Sequence, residues 1–136
     1  MANYWLVKTE PTSYSYDDLE REKTAVWDGV KNPVALRNLR EMRPGDQVLI
    51  YHTGDEKAVV GWATVVSAPY PDPKRNDARL VVIDIRPVQA LRRRVPLAEM
   101  RANPKLKGFD LLRLPRLSVM PVSEEQWAAI MEMADA

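Results

Sequence analysis

The sequence predicts an α+β fold of roughly five or six short strands curled toward a barrel, with helices around it. Three observations point there. Apolar runs are short and alternate in the strand manner, as in RLVVIDIR over 79–86. Helix starts carry their own caps, at Ser15, Asn32 and Ser123. The 11 prolines are spread along the chain, so they punctuate short elements and build no proline-rich linker.

Taken in order, Asn3 to Val7 forms a buried strand that Pro11 ends. Ser15 with Asp18 makes a capping box for a short helix over Tyr16 to Arg21. Trp27 then lies in a loop, WDGVKNP, where Gly29 permits a tight turn. Asn32 followed by Pro33 starts a second helix, with Ala35, Leu39 and Met42 inward and Arg37, Arg40 and Glu41 outward. Pro44-Gly45-Asp46 turns the chain into a strand, Gln47 to His52. Ala58 to Val66 is the next strand, with Gly61 marking a bulge or a close approach. After a proline-rich loop, Arg79 to Arg86 is a strand with Val81, Ile83 and Ile85 on one face. Pro96 opens a short helix toward Arg101, and Phe109 to Leu114 and Leu117 to Val122 are extended. Ser123 with Gln126 caps a last helix whose apolar face includes Trp127, Ile130, Met131 and Ala134.

A chain of 136 residues suffices for one core, and residues 1–136 are expected to form a single domain, a monomer. Net charge is +1, so any nucleic-acid contact must come from a local patch. With no cysteine there is no disulfide, no thiolate nucleophile and no sulfur-ligated zinc, and a reducing cytoplasm is expected. The N-terminal segment lacks the pattern of a signal peptide, and no apolar run is long enough to cross a bilayer, so no membrane partner is expected.

Catalytic chemistry is thinly supplied. The one histidine, His52, has no evident nucleophile, and Ser118 lacks the Gly-x-Ser-x-Gly elbow. No zinc, calcium or phosphate-loop pattern occurs among these residues, and no cofactor is expected. These features favour binding over turnover. By itself His52 reads as a surface or capping histidine at a strand end, or else as a polar group at a pocket mouth. Trp62 and Trp127 read as core residues. Trp27, ahead of Asp-Gly, either packs over a core edge or offers a face on which a base could stack. Basic residues cluster at Arg37-Arg40-Arg43, Lys74-Arg75, Arg92-Arg93-Arg94 and Arg113-Arg116, either as a solvated face or as a phosphate-tracking patch.

Several motifs in fixed order resemble the EVE domain, a PUA-like family that includes bacterial stand-alone proteins and the thymocyte nuclear proteins. They are YWLVKTEP (4–11), WDGVKN (27–32), MRPGD (42–46), YHTG (51–54), YPDP (70–73) and RLSVMPVSEEQW (116–127). The resemblance spans essentially the whole chain. It implies a PUA-like β-barrel, related to YTH and ASCH domains, with an aromatic pocket for a modified base in DNA or RNA. Carried over by position, Trp27 is the pocket's aromatic wall. Lys8, Thr9, Asn32, His52, Thr53 and Ser118 are polar groups of its floor or rim, and Lys31, Arg37 and Arg116 stand where phosphates could be met. The chain departs from the family pattern at Pro33, where an aromatic is usual, at Leu36 with Arg37 one step later, and at Lys31, Thr9 and Thr53. The resulting expectation is a non-catalytic nucleic-acid-binding module. The alternatives are a small-molecule or nucleotide-binding regulator, and a hydrolase using His52 with a carboxylate such as Asp28.

Overall fold

The computed structural model describes residues 2–135; Met1 and Ala136, which the 1–136 domain bounds include, lie outside the described residues. Seven strands form one mixed sheet: β1 (Tyr4–Thr9), β2 (Ala25–Trp27), β3 (Gln47–His52), β4 (Ala58–Val65), β5 (Tyr70–Pro71), β6 (Val81–Pro96) and β7 (Val119–Val122). Their spatial order is β2-β6-β4-β3-β1-β7, with β5 added to β6. The helices are α1 (Tyr16–Glu22), α2 (Pro33–Glu41), α3 (Leu97–Ala102), α4 (Asp110–Arg113) and α5 (Glu124–Ala134), with one 3-10 turn at Pro104–Leu106. None of the described helices is long and apolar enough to cross a membrane.

The sheet is mixed because β1 runs parallel to β3 and antiparallel to β7. It curls into a half-barrel because the 16-residue β6 pairs with β2 at one end and β4 along its length. Register shifts at Val59/Gly61 and Trp62/Ala63 bend that pairing, as bulges do. The helix starts form as their residues dictate. Ser15 and Ser123 complete capping boxes with Asp18 and Gln126, and the Asn32 side chain accepts from the Val34 and Ala35 amides ahead of Pro33. Ala35, Leu39 and Met42 are all fully buried.

Gly61 and Trp62 show how the two faces are covered. The Tyr16 ring of α1 packs on Gly61, whereas Trp62 meets Trp127 of α5 edge-on at 5.6 Å, so α1 and α5 lie on opposite faces. Trp127 also lies 4.7 Å from the Tyr4 ring. The turn before β3 is tied to β1 by the buried Asp46. Its carboxylate accepts from the Trp5 Nε1–H (2.9 Å) and from the Asn3 and Arg43 amides (3.0 Å each).

Three sequence expectations change. The strand expected over Arg79 to Arg86 runs on through the three arginines to Pro96, paired along β4, and Arg93 and Arg94 meet Glu99 and Glu56. Phe109 to Leu114 is not extended: Asp110–Arg113 is a helical turn, with Phe109 and Leu111 buried beside it. A short apolar run fits either state by periodicity alone. Trp27 ends β2, opposite Ile83, and is not a loop residue.

A Cβ on Gly61 would lie 2.6 Å from the Tyr16 ring, which is 3% exposed and has nowhere to move. Gly61→Ala should therefore cost about 1–3 kcal/mol by denaturant unfolding. A change within about 0.5 kcal/mol, the range of ordinary surface substitutions, would show that α1 is not held against the sheet in this way.

Candidate functional site

A cleft of ≈ 790 Å³ opens where β1 ends, between the C-terminal residues of β1, the start of β7 and the β2 strand. Each wall follows from local structure. Lys8 and Thr9 close β1, and the Lys8 amide donates to the Ser118 carbonyl (2.9 Å), which brings Ser118 alongside. The chain then folds back, with the Ser13 and Tyr14 amides both donating to the Glu10 carbonyl at 2.9 Å. The Thr9 hydroxyl donates to the Tyr14 carbonyl (2.7 Å), so toward a ligand it can only accept. Tyr14 stands edge-on to Trp27, with ring centroids 6.1 Å apart and planes at 80°. Its hydroxyl donates to Glu22 (2.9 Å), and burial, followed by that carboxylate, pushes the phenol up to about 12. Beyond Trp27, Gly29 takes a positive φ of 79° and delivers Lys31 to the rim, where Lys74 arrives from the loop after β5.

Of the residues expected at the site, Lys8, Thr9, Trp27, Lys31 and Ser118 are brought together here. Trp27 is only 7% exposed and belongs to the core. Its indole N–H has no partner among the described residues, while no buried side-chain polar atom there is left unpaired. The N–H therefore reaches accessible space, so Trp27 offers the cleft a donor at its edge more than an open stacking face. Tyr14, more exposed, is the aromatic that the sequence reading missed. It sits just ahead of the Ser15 cap, with no periodicity to single it out. Asp28 and Lys74 also line the cleft. In sequence they stand as a candidate carboxylate and as part of a basic pair, with no signal that they meet.

The other expected residues stand elsewhere. Asn32 spends its side-chain oxygen on capping α2 and, with Arg116, borders a separate shallow groove. Arg37 is exposed on α2 and lines none of the clefts described here. Thr53 lies on the far side of Lys8, its hydroxyl 3.4 Å from the Thr9 carbonyl and 3.3 Å from Glu10.

His52 is 4% exposed and does not line the cleft. Its Nε2 accepts from the Tyr16 amide (3.0 Å), which places the proton on Nδ1, facing Glu56. The residue is a buried tie between β3 and α1, and a hydrolase built on His52 and Asp28 loses its base.

The chain belongs to the PUA-like class by its curled mixed sheet and the cleft at the end of β1. Within that class it is a member of the EVE domain family, which it matches over residues 3–133. Among solved structures it is similar to a protein of Agrobacterium tumefaciens, with 37% identity, 98% of this chain and 93% of that chain covered, and a TM-score of 0.94. It is also similar to human THYN1, solved in complex with DNA containing 5-methylcytosine, at 26% identity, 99% of both chains and a TM-score of 0.92. Thymocyte nuclear protein 1 of mouse is 29% identical over 99% of this chain and 75% of its own length.

Burial, then the nearby Arg94, hold the His52 imidazole below its ordinary value of 6.5; Asp17 and Glu10 pull the other way and lose. The unfolded chain thus takes up this proton at a higher pH than the folded one. His52 stabilises the fold fully above about pH 6.5, and this contribution is lost as pH falls through the folded value. Thermal melts from pH 8 to pH 5 should show wild type losing its advantage over His52→Gln as the pH drops. A gap between the two that stays constant would contradict a neutral, hydrogen-bonded His52.

Proposed function

We propose that this chain is a non-catalytic nucleic-acid-binding domain that holds one modified base in the cleft beside Trp27. The observation that carries this reading is the composition of that cleft. An aromatic pair, Tyr14 and Trp27, stands over hydrogen-bonding groups of both kinds, with Lys31 and Lys74 at the rim and the Lys8 ammonium turned to the Pro115 carbonyl. The Trp27 N–H donates; Thr9 and Asp28 accept; Ser118 can do either. Such a set suits a base edge that carries both an amine and a carbonyl, as cytosine does, and a carboxylate is the acceptor of choice for its N4 amine. Asp28 and Glu22 repel phosphate from the interior. That leaves the backbone to Lys31 and Lys74 at the rim and orients a flipped or single-stranded base inward. The complex of human THYN1 with 5-methylcytosine DNA supports the same reading and supplies the probe.

The test is fluorescence anisotropy with a DNA strand bearing one 5-methylcytosine, its unmodified twin and the free nucleoside, at two salt concentrations. Wild type should prefer the methylated strand and bind the nucleoside far more weakly. Tyr14→Ala should lose roughly 1–3 kcal/mol of binding, the worth of one base–aromatic stack. Lys31→Gln with Lys74→Gln should flatten the salt slope by about 1.4, at about 0.7 per single-strand phosphate contact. Trp27→Ala is the poorer probe, because emptying so buried a site costs about 3–5 kcal/mol of stability. Equal affinity for both strands, or for strand and nucleoside, would defeat the proposal.

A further inference from the structure

On the other side of Lys8 lies a second cavity of ≈ 270 Å³, lined by Lys8, Tyr51, Thr53, Lys57, Arg101 and Leu111 among others. Neighbouring elements converge on it. Lys8 and Tyr51 are register partners on the parallel strands β1 and β3, with the Lys8 ammonium 5.8 Å from the Tyr51 ring centre. The amide of Leu97, the first residue of α3, donates to the Lys57 carbonyl (2.8 Å), which ties α3 to the turn before β4. One helical turn further, Arg101 projects on the same side as Leu97, and both line the cavity.

The charges here are unbalanced. Lys8, Lys57 and Arg101 have no carboxylate within salt-bridge distance among the described residues, and all three line one concave space. Lys8 donates to the Pro115 carbonyl (2.9 Å) and keeps its other donors free. The carboxylate at the rim, Glu10, is turned to Thr12 and Thr53. Tyr51 is 4% exposed, yet its hydroxyl has no partner among the described residues. Because no buried side-chain polar atom there is left unsatisfied, that hydroxyl opens on accessible space, and the cavity is the space Tyr51 lines. Three cations and a free hydroxyl around a concave space lack one thing, an anion rich in acceptor oxygens.

We propose that this cavity is a phosphate site, with Arg101, Lys57 and Lys8 as its cations and the Tyr51 hydroxyl as a donor. Lys8 lines both this cavity and the base cleft. On the reading given under Proposed function, the phosphate is therefore a diester next to the recognised base; the other source of the same group is the terminal phosphate of a free nucleotide.

The first arm of the test does not depend on what the cleft binds. Inorganic phosphate is titrated into the full chain at constant ionic strength against chloride, reading the amide signals of Thr53, Gly54 and Lys57 and the Arg101 Nε–H. Saturable shifts that disappear in Lys57→Gln/Arg101→Gln are expected. Both side chains are exposed, so the variant should melt with wild type. Tyr51→Phe, which keeps the ring, should weaken the phosphate effect several-fold. The second arm compares the 5-methylcytosine strand, the corresponding mononucleotide and the nucleoside. A diester source predicts that each cation substitution flattens the strand's salt slope by about 0.7. A monoester source predicts a mononucleotide bound more tightly than the nucleoside, and that gap closing in the variants. Phosphate shifts without any base preference would leave the cavity standing and overturn only the cleft reading. No saturable shift, with the variants binding every probe as wild type does, would overturn the phosphate site.

Discussion

The cleft depends on Tyr16. Its amide donates to His52, its ring lies on Gly61, and its hydroxyl donates to the Trp62 carbonyl (2.8 Å), so one residue fastens α1 to β3 through its backbone and to β4 through its side chain. Everything between β1 and β2 hangs from that fastening. It fixes the chain just after Tyr14, holds Tyr14 over Thr9, and sets where β2 must start in order to present Trp27 beside β6. The one histidine supplies one of the three anchors, and its pH sensitivity belongs to the fold.

The two concavities that share Lys8 divide the electrostatics of one surface. The cleft mixes carboxylates with donors and keeps Lys31 and Lys74 at the rim, an arrangement for a neutral, hydrogen-bonding ring. The cavity beyond Lys8 is cationic with little to offset it, an arrangement for charge. A chain of net charge +1 can thus meet a polyanion through a local group of cations that line one concave space.

The helix caps, the β1, β3 and β7 strands and the close approach at Gly61 were legible in the sequence, because each rests on local chemistry. The length of β6 was not: Gln89 to Arg94 is exposed or half-exposed and reads as loop until β4 supplies a partner. At the site, the family motifs singled out Lys8, Thr9, Trp27, Lys31 and Ser118, which converge, but also Asn32, His52 and Thr53, which do not. For Asn32 the plain N-cap reading of the residues describes what its side chain does, and for His52 the capping reading does so, although the residue is buried and not at the surface. Tyr14, Lys57 and Arg101 carried no signal, since their importance arises only when a turn, an αL residue and a helix face meet in space.

The most direct test of a base seated beside Trp27 is the set of indole N–H resonances, one for each of the four tryptophans. Trp5 is bound to Asp46, Trp62 and Trp127 pack together at α5, and only Trp27 lines the cleft. On addition of the 5-methylcytosine strand, the Trp27 signal should move and saturate with the binding curve while the other three stay in place. Saturable movement at Trp62 or Trp127 with Trp27 unmoved would place the ligand on another face and contradict the account.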